Sequence, residues 1–174
     1  VRNRYLEFKE EGYLIQDQQP AFYVYENKDP HHSYTGIIAS TSTQDYVENK
    51  IKIHEDTLSD KEILFKDYLK FAGFNAEPVL LTYEDRPGID EIIKRVKLQR
   101  PDEFFSTTDF NSHKLWAVTD PEIIKDIENQ FQDIKELYIA DGHHRSASSN
   151  LLSQETAVTK ESYHYFMSLL IAES

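Results

Sequence analysis

Apolar positions recur along this chain in two rhythms, one of period two and one near 3.6, and the changes of rhythm mark its elements. Ala21-Phe22-Tyr23-Val24-Tyr25 and Thr35-Gly36-Ile37-Ile38-Ala39-Ser40 are strand-like runs on either side of the polar segment Asn27-Lys28-Asp29-Pro30, which predicts a hairpin. A short helix over Arg2 to Gly12 is expected before them. Ile51-Lys52-Ile53-His54-Glu55 alternates apolar and polar and predicts a further strand. Ser59-Asp60-Lys61-Glu62 follows with the Ser-x-x-Glu spacing of a capping box, so a helix is expected from that point. Its apolar positions Leu64, Tyr68, Phe71 and Ala72 repeat at helical spacing, and Gly73 stands where a C-terminal cap belongs.

Strand and helix continue to alternate. Pro78 to Tyr83 has the length and apolar character of a strand, and Pro87-Gly88 opens a helix over Ile89 to Leu98. Phe104 to Phe110 and Lys114 to Thr119 predict a second hairpin around Asn111-Ser112-His113. Asp120-Pro121 caps a helix whose Ile123, Ile124, Ile127, Phe131 and Ile134 form one apolar stripe, which is assigned to the core. Leu137-Tyr138-Ile139-Ala140 reads as a short buried strand, Ser146 to Leu152 as a helix, and Asp141-Gly142-His143-His144-Arg145 as the turn between them. The fold class expected is α+β, close to α/β, with a mixed sheet and flanking helices in one domain over residues 1–174. The start at Val1 and the stop at Ser174, just after the apolar run Tyr163 to Ala172, suggest a segment of a longer protein.

Composition narrows the function. Nineteen basic against 31 acidic residues give a formal charge of -12, which opposes binding to a nucleic-acid backbone unless positive charge is gathered on one face. The densest basic stretch, Lys94-Arg95-Val96-Lys97 with Arg100, lies on an amphipathic helix and reads as a solvated face. No nucleic-acid partner is expected. The chain has no cysteine, so thiolate catalysis, thiolate metal sites and disulfides are excluded, and a reducing cytoplasm suits it. No apolar stretch reaches the roughly 18 residues of a membrane span, and no membrane partner is expected. Trp116 and the tyrosines are assigned to the core.

The candidate chemistry gathers at Asp141-Gly142-His143-His144-Arg145. A strand that ends at Ala140, a turn allowed by Gly142 and a helix starting near Arg145 would leave backbone N-H groups and the positive helix end facing an anion. Arg145 adds a fork of donors suited to phosphate, and His143 and His144 can donate to phosphate or shuttle a proton. Asp141 could hold a magnesium ion or accept a proton from a hydroxyl. The competing reading is a helix cap, a turn and surface decoration. Five polar or flexible residues in a row after a strand favour the functional one, because open α/β sheets bind ligands beyond strand C-termini. Zinc ligation by both histidines is a weaker reading, since adjacent side chains diverge and no His-x-x-x-His spacing is present. Glu55, in His54-Glu55-Asp56 just before a helix, is either a general base converging on the same sheet edge or an ordinary loop carboxylate. Lys52 and Lys61 flank that cluster. His31-His32, in the first polar turn, are read as structural or incidental.

The segment Tyr138-Ile139-Ala140-Asp141-Gly142-His143-His144-Arg145 resembles the family catalogued as domain of unknown function 1015. Ile51-Lys52-Ile53-His54-Glu55 with Lys61-Glu62, and Pro78-Val79-Leu80-Leu81-Thr82-Tyr83, resemble that family's other recurrent segments in the same order. The Ala-Asp-Gly-His-His-Arg element is the specific one. The resemblance implies a relationship to the ParB and sulfiredoxin-like fold, in which a turn before a helix binds nucleotide phosphates, and to kinases that phosphorylate free L-serine. It therefore implies phosphoryl transfer with ATP or ADP as donor and magnesium as cofactor. Asp141, Gly142, His143, His144 and Arg145 are nominated for phosphate and magnesium handling, Asp141 and His144 among the catalytic groups, and Glu55 as the base that activates the serine hydroxyl. Ser146 stands where relatives often carry a bulky aromatic residue. The absence of cysteine removes sulfiredoxin chemistry, and no Walker lysine loop is present, so any nucleotide needs a different cradle. Two alternatives remain: a ParB-type nucleotide-binding regulatory module and a phosphate-ester hydrolase.

Overall fold

The computed structural model describes residues 2–155 and 161–174. In chain order the elements are α1 (Arg2–Glu10), β1 (Phe22–Lys28), β2 (Ser33–Ser42), α2 (Thr43–Val47), β3 (Ile51–Lys52), α3 (Ser59–Ala72), β4 (Val79–Tyr83) and α4 (Pro87–Lys97). They continue with β5 (Glu103–Ser106), β6 (Ser112–Val118), α5 (Pro121–Gln132), β7 (Leu137–Asp141), α6 (His143–Ser153) and β8 (Tyr165–Ala172), the last preceded by a single 3-10 turn.

All eight strands join one sheet in the order β3-β7-β4-β8-β2-β1-β6-β5. β3 with β7 and β4 with β8 are parallel, and the other neighbours are antiparallel, so the α+β fold with a mixed sheet and flanking helices is observed. Both expected hairpins form. The terminal apolar run becomes β8, which lies between β4 and β2 near the middle of the sheet. There Ser168, opposite Ala39, meets Thr41 on the diagonal with hydroxyls 2.5 Å apart, a polar pair inside the core.

Register puts Val24, Ile37, Leu170, Leu81 and Ile139 on one face of the sheet, and all five are buried. The helices cover this face. Lys97 of α4 reaches Glu26, Phe131 of α5 packs edge-on to Tyr83, and Ser149 and Arg145 of α6 share a cavity with Val79 and Phe166. The Asp120 carboxylate accepts the Glu122 amide at the start of α5, and the stripe Ile123, Ile124, Ile127, Phe131 and Ile134 packs on the core as expected.

Several boundaries differ from the sequence reading. β3 stops at Lys52 after two pairings with β7, so His54, Glu55 and Asp56 are loop residues. The helix after it has no Ser59 cap: Leu58 occupies the cap position without a side-chain bond, and the Glu62 carboxylate accepts from the Thr57 hydroxyl instead. Leu64 and Phe71 of α3 are 66% and 60% exposed, because α3 packs through Ala72 and its neighbours on α6 rather than on the sheet. Gly73 does cap α3 in the left-handed conformation. β7 is buried only at Ile139, since the sheet's second face is open at Tyr138 and Ala140. β5 ends at Ser106, ahead of a turn over residues 107–111. Trp116 is core, but Tyr13, Tyr34, Tyr138 and Tyr165 are exposed, so the tyrosines are not uniformly core.

Candidate functional site

β7 delivers the chain to one edge of the helical layer and ends at Asp141. Gly142 then takes φ 97, ψ 28 and caps α6. A left-handed residue reverses the chain in one step, so the helix begins at His143 and not near Arg145, and both histidines belong to its first turn. The amides of Arg145 and Ser146 close on the Gly142 carbonyl at 2.9 and 3.0 Å. Those of His143 and His144 precede the first helical bond and stand open at the positive end of the helix.

The hydroxyls of Ser146 and Ser149 donate back to the carbonyls of His143 and Arg145 at 3.0 and 2.9 Å, and Ser148 does the same to His144. Ser146, Ser148 and Ser149 are all buried. Small side chains that satisfy their own polarity let α6 lie close to α3 and the sheet, which holds the turn on a rigid base. Ser146, the position of the departure noted above, is fully buried with its hydroxyl on the His143 carbonyl.

Arg145 folds back over the turn. One guanidinium nitrogen bonds the Asp141 carboxylate and another the Glu77 carboxylate, while Nε is buried without a partner. Both carboxylates are largely exposed, at 72% and 71%. The cation is therefore held ready at the surface by groups that water can solvate once it is released. The backbone angle favours glycine here, and a Cβ at this position would lie 2.9 Å from Arg145 Nε, so the guanidinium would have to shift to admit one.

His143 is 5% exposed and turns inward. Its ring meets His54 edge-on at 4.5 Å between centroids, Nδ1 is 3.6 Å from Glu55 Oε2, and Nε2 has no partner. Burial, with the neighbouring His54, lowers its pKa from 6.5 against the smaller opposite pull of Glu55 and Asp141, so the imidazole is neutral at pH 7. His144 points elsewhere: its Nε2 accepts the Leu58 amide at 3.3 Å, which ties the loop before α3 to the first turn of α6.

Among the nominated residues, then, Asp141, Gly142 and Arg145 form one cluster, and Glu55 meets His143 rather than His144. The two imidazoles diverge, and among the described residues no three His, Asp or Glu side chains converge on a metal position. That geometry offers nothing to zinc. Asp141 presents one carboxylate, bonded here to Arg145, of the kind that magnesium takes beside water and phosphate oxygens. Lys52 pairs with Glu136 at 3.1 Å, away from the turn, and Lys61 is exposed on α3. His31 and His32 direct their amides to Asp29 in the β1–β2 loop, a structural role.

Comparison with known families decides the relationship suggested by the turn. The family model described as "Protein of unknown function (DUF1015)" matches residues 1–174, the whole chain. The chain belongs to the DUF1015 family. No curated protein and no solved structure matches it. Within this DUF1015 chain, sequence reasoning missed three members of the cluster: His54 against His143, Glu77 on Arg145, and the Leu58 amide on His144. His54 was legible as a neighbour of Glu55. Glu77 and Leu58 carried no signal, because each meets its partner only through the fold. Among the described residues no helix is long and apolar enough to cross a membrane.

Proposed function

We propose that this chain is a cytoplasmic small-molecule kinase that transfers a phosphoryl group from a nucleotide, ATP or ADP, to a hydroxyl, with free L-serine as the acceptor. The observation that carries the reading is the turn itself: a left-handed Gly142 leaves two first-turn amides open beneath a guanidinium whose present partners are exposed carboxylates. Phosphate oxygens make stronger partners for that fork than solvated carboxylates do, so a polyphosphate is expected to displace at least one of them. The fold relationship to ParB and sulfiredoxin-like proteins belongs to the same proposal.

In the transfer step the serine Oγ attacks the terminal phosphorus, the Oγ–P bond forms, and the bond from phosphorus to the bridging oxygen breaks. The hydroxyl proton passes to the Glu55 carboxylate, and the nucleotide leaves one phosphoryl group shorter with the bonding pair on its oxygen. Glu55 is 63% exposed and close to neutral His143, a position open to a substrate hydroxyl. The amides of His143 and His144 and the Arg145 fork hold the phosphates, and His144 fixes the loop that carries Glu55 through Leu58. Asp141 would hold magnesium, which when bound would neutralise phosphate charge.

Incubation with L-serine, magnesium chloride and ATP or ADP, followed by mass spectrometry, is expected to yield O-phosphoserine. Nucleotide binding without product in any combination would support a ParB-type regulatory module, and release of free phosphate without serine a hydrolase. Either result overturns the kinase reading.

A further inference from the structure

Beside the turn, on the helical face, lies a cavity of about 260 Å³ between α3, the start of β4 and α6. Val79 and Phe166 floor it, both almost fully buried, and Phe65, Tyr68 and Leu69 of α3 form its apolar wall. Asn75, Ser149 and the Tyr68 hydroxyl are the uncharged polar side-chain groups among its lining residues. Two further residues belong to both the cavity and the turn: Glu77 and Arg145 line it and are bonded to each other.

An apolar slot, a carboxylate and a guanidinium thus share one cavity, and the guanidinium belongs to the first turn of α6. We propose that the slot is the nucleobase site of the nucleotide whose phosphates sit on the turn, with a purine ring held against Phe65 and Tyr68. The inference rests on the nucleotide-binding part of the function proposed above. Pockets that take a whole drug-sized ligand span roughly 300–1,000 Å³, so a slot just below that range suits one flat ring system and not a complete nucleotide. Free serine, small and charged at both ends, finds no partner in such walls. The Asn75 side-chain amide offers a donor and an acceptor to a base edge, the pairing this side chain makes with adenine elsewhere. Glu77 lines the slot with Arg145 and is bonded to it. Once phosphate takes over the guanidinium, its carboxylate is free to accept the ribose hydroxyls, the role acidic residues play beside other dinucleotide and nucleotide turns. Base entry and phosphate capture are then linked through one ion pair, Glu77–Arg145.

Calorimetric titration of the purified chain with ADP and, separately, with inorganic pyrophosphate, both with magnesium, tests the assignment. Base–aromatic stacking is worth on the order of ten- to a hundredfold in affinity, so ADP is expected to bind tighter than pyrophosphate by about that factor. Ala76→Trp, on an exposed position of the lining, fills the slot from its rim, and Phe65→Ala removes one face of the wall; both positions are accessible enough for the fold to survive. Each variant is expected to bring ADP down towards pyrophosphate while the pyrophosphate constant stays within about twofold of the parent. If both variants bind ADP as the parent does, or if the parent binds ADP no tighter than pyrophosphate, the base-site assignment is wrong while the phosphate turn stands. If neither probe binds, the assignment falls together with the nucleotide reading.

Discussion

Gly142→Ala is the substitution on which the geometry of the turn can be measured. At φ 97 an alanine enters a region that L residues rarely adopt, at about 1–3 kcal/mol. The loss of unfolded-state freedom returns about 0.4–1 kcal/mol of that. The new Cβ would also sit 2.9, 3.0 and 3.3 Å from Nε, a terminal nitrogen and Cζ of Arg145, so the guanidinium must move and give up one or both ion pairs. Because both carboxylates are mostly exposed, each pair contributes only about 0–1 kcal/mol. The sum is a destabilisation of about 2 kcal/mol. Gly73→Ala supplies the comparison: φ is 79 and nothing lies within 4 Å of its Cβ, so only the backbone contribution of about 1 kcal/mol remains. In urea titrations at pH 7, with a slope of about 2 kcal/mol/M, Gly142→Ala is expected to lower the midpoint by about 1 M and Gly73→Ala by about half that. In an Arg145→Ala background the two glycine substitutions should cost the same. A Gly142→Ala variant as stable as the parent would refute the left-handed cap, and one no dearer than Gly73→Ala would refute the arginine folded over it.

Three other outcomes test the rest of the structure. Burial lowers the His143 pKa from 6.5, so between the folded and unfolded values the unfolded chain binds more protons; stability is whole above 6.5 and declines as pH falls below it, and His143→Gln should flatten that part of a urea-midpoint profile. Glu26 is buried at 6% exposure; burial alone would raise its pKa, but hydrogen bonds from Lys114 and Lys97 prevail and lower it from 4.5. Its contribution is present above pH 4.5 and lost below, and Glu26→Gln is expected to cost about 1–3 kcal/mol by chemical denaturation, less than a fully buried pair because both lysines are about a third exposed. Ser168→Ala leaves the Thr41 hydroxyl unpaired in the core at about 1–2 kcal/mol, and Thr41→Val added to it should recover part of the loss, which a double-mutant cycle reads directly.

How much of this was legible in the chain depends on the range of the interaction. The α5 stripe, the Asp120 cap, the Gly73 cap and the two hairpins are local, since each is set by residues within a few positions of one another, and all appear, the second hairpin with its turn moved back to residues 107–111 so that Ser112 and His113 belong to β6. Ser59 shows where local rules stop: Thr57 takes the Glu62 carboxylate that a capping box would use. The family resemblance was also legible, because Asp141 to Arg145 is one continuous stretch.

By itself, then, the sequence determined most of the element types, the mixed α+β class and the place of the strand-to-helix turn after β7, but neither α2 nor the strand β8. Only tertiary structure decided that β8 sits near the middle of the sheet, that α3 exposes Leu64 and Phe71, and that Glu77, 68 residues from Arg145, closes the guanidinium clamp. It also decided which histidine meets Glu55. Adjacent helical residues point about 100° apart, and the phase of α6 follows from which of its small serines lie against α3 and the sheet. Such choices are made by partners distant along the chain, and local periodicity carries no record of them.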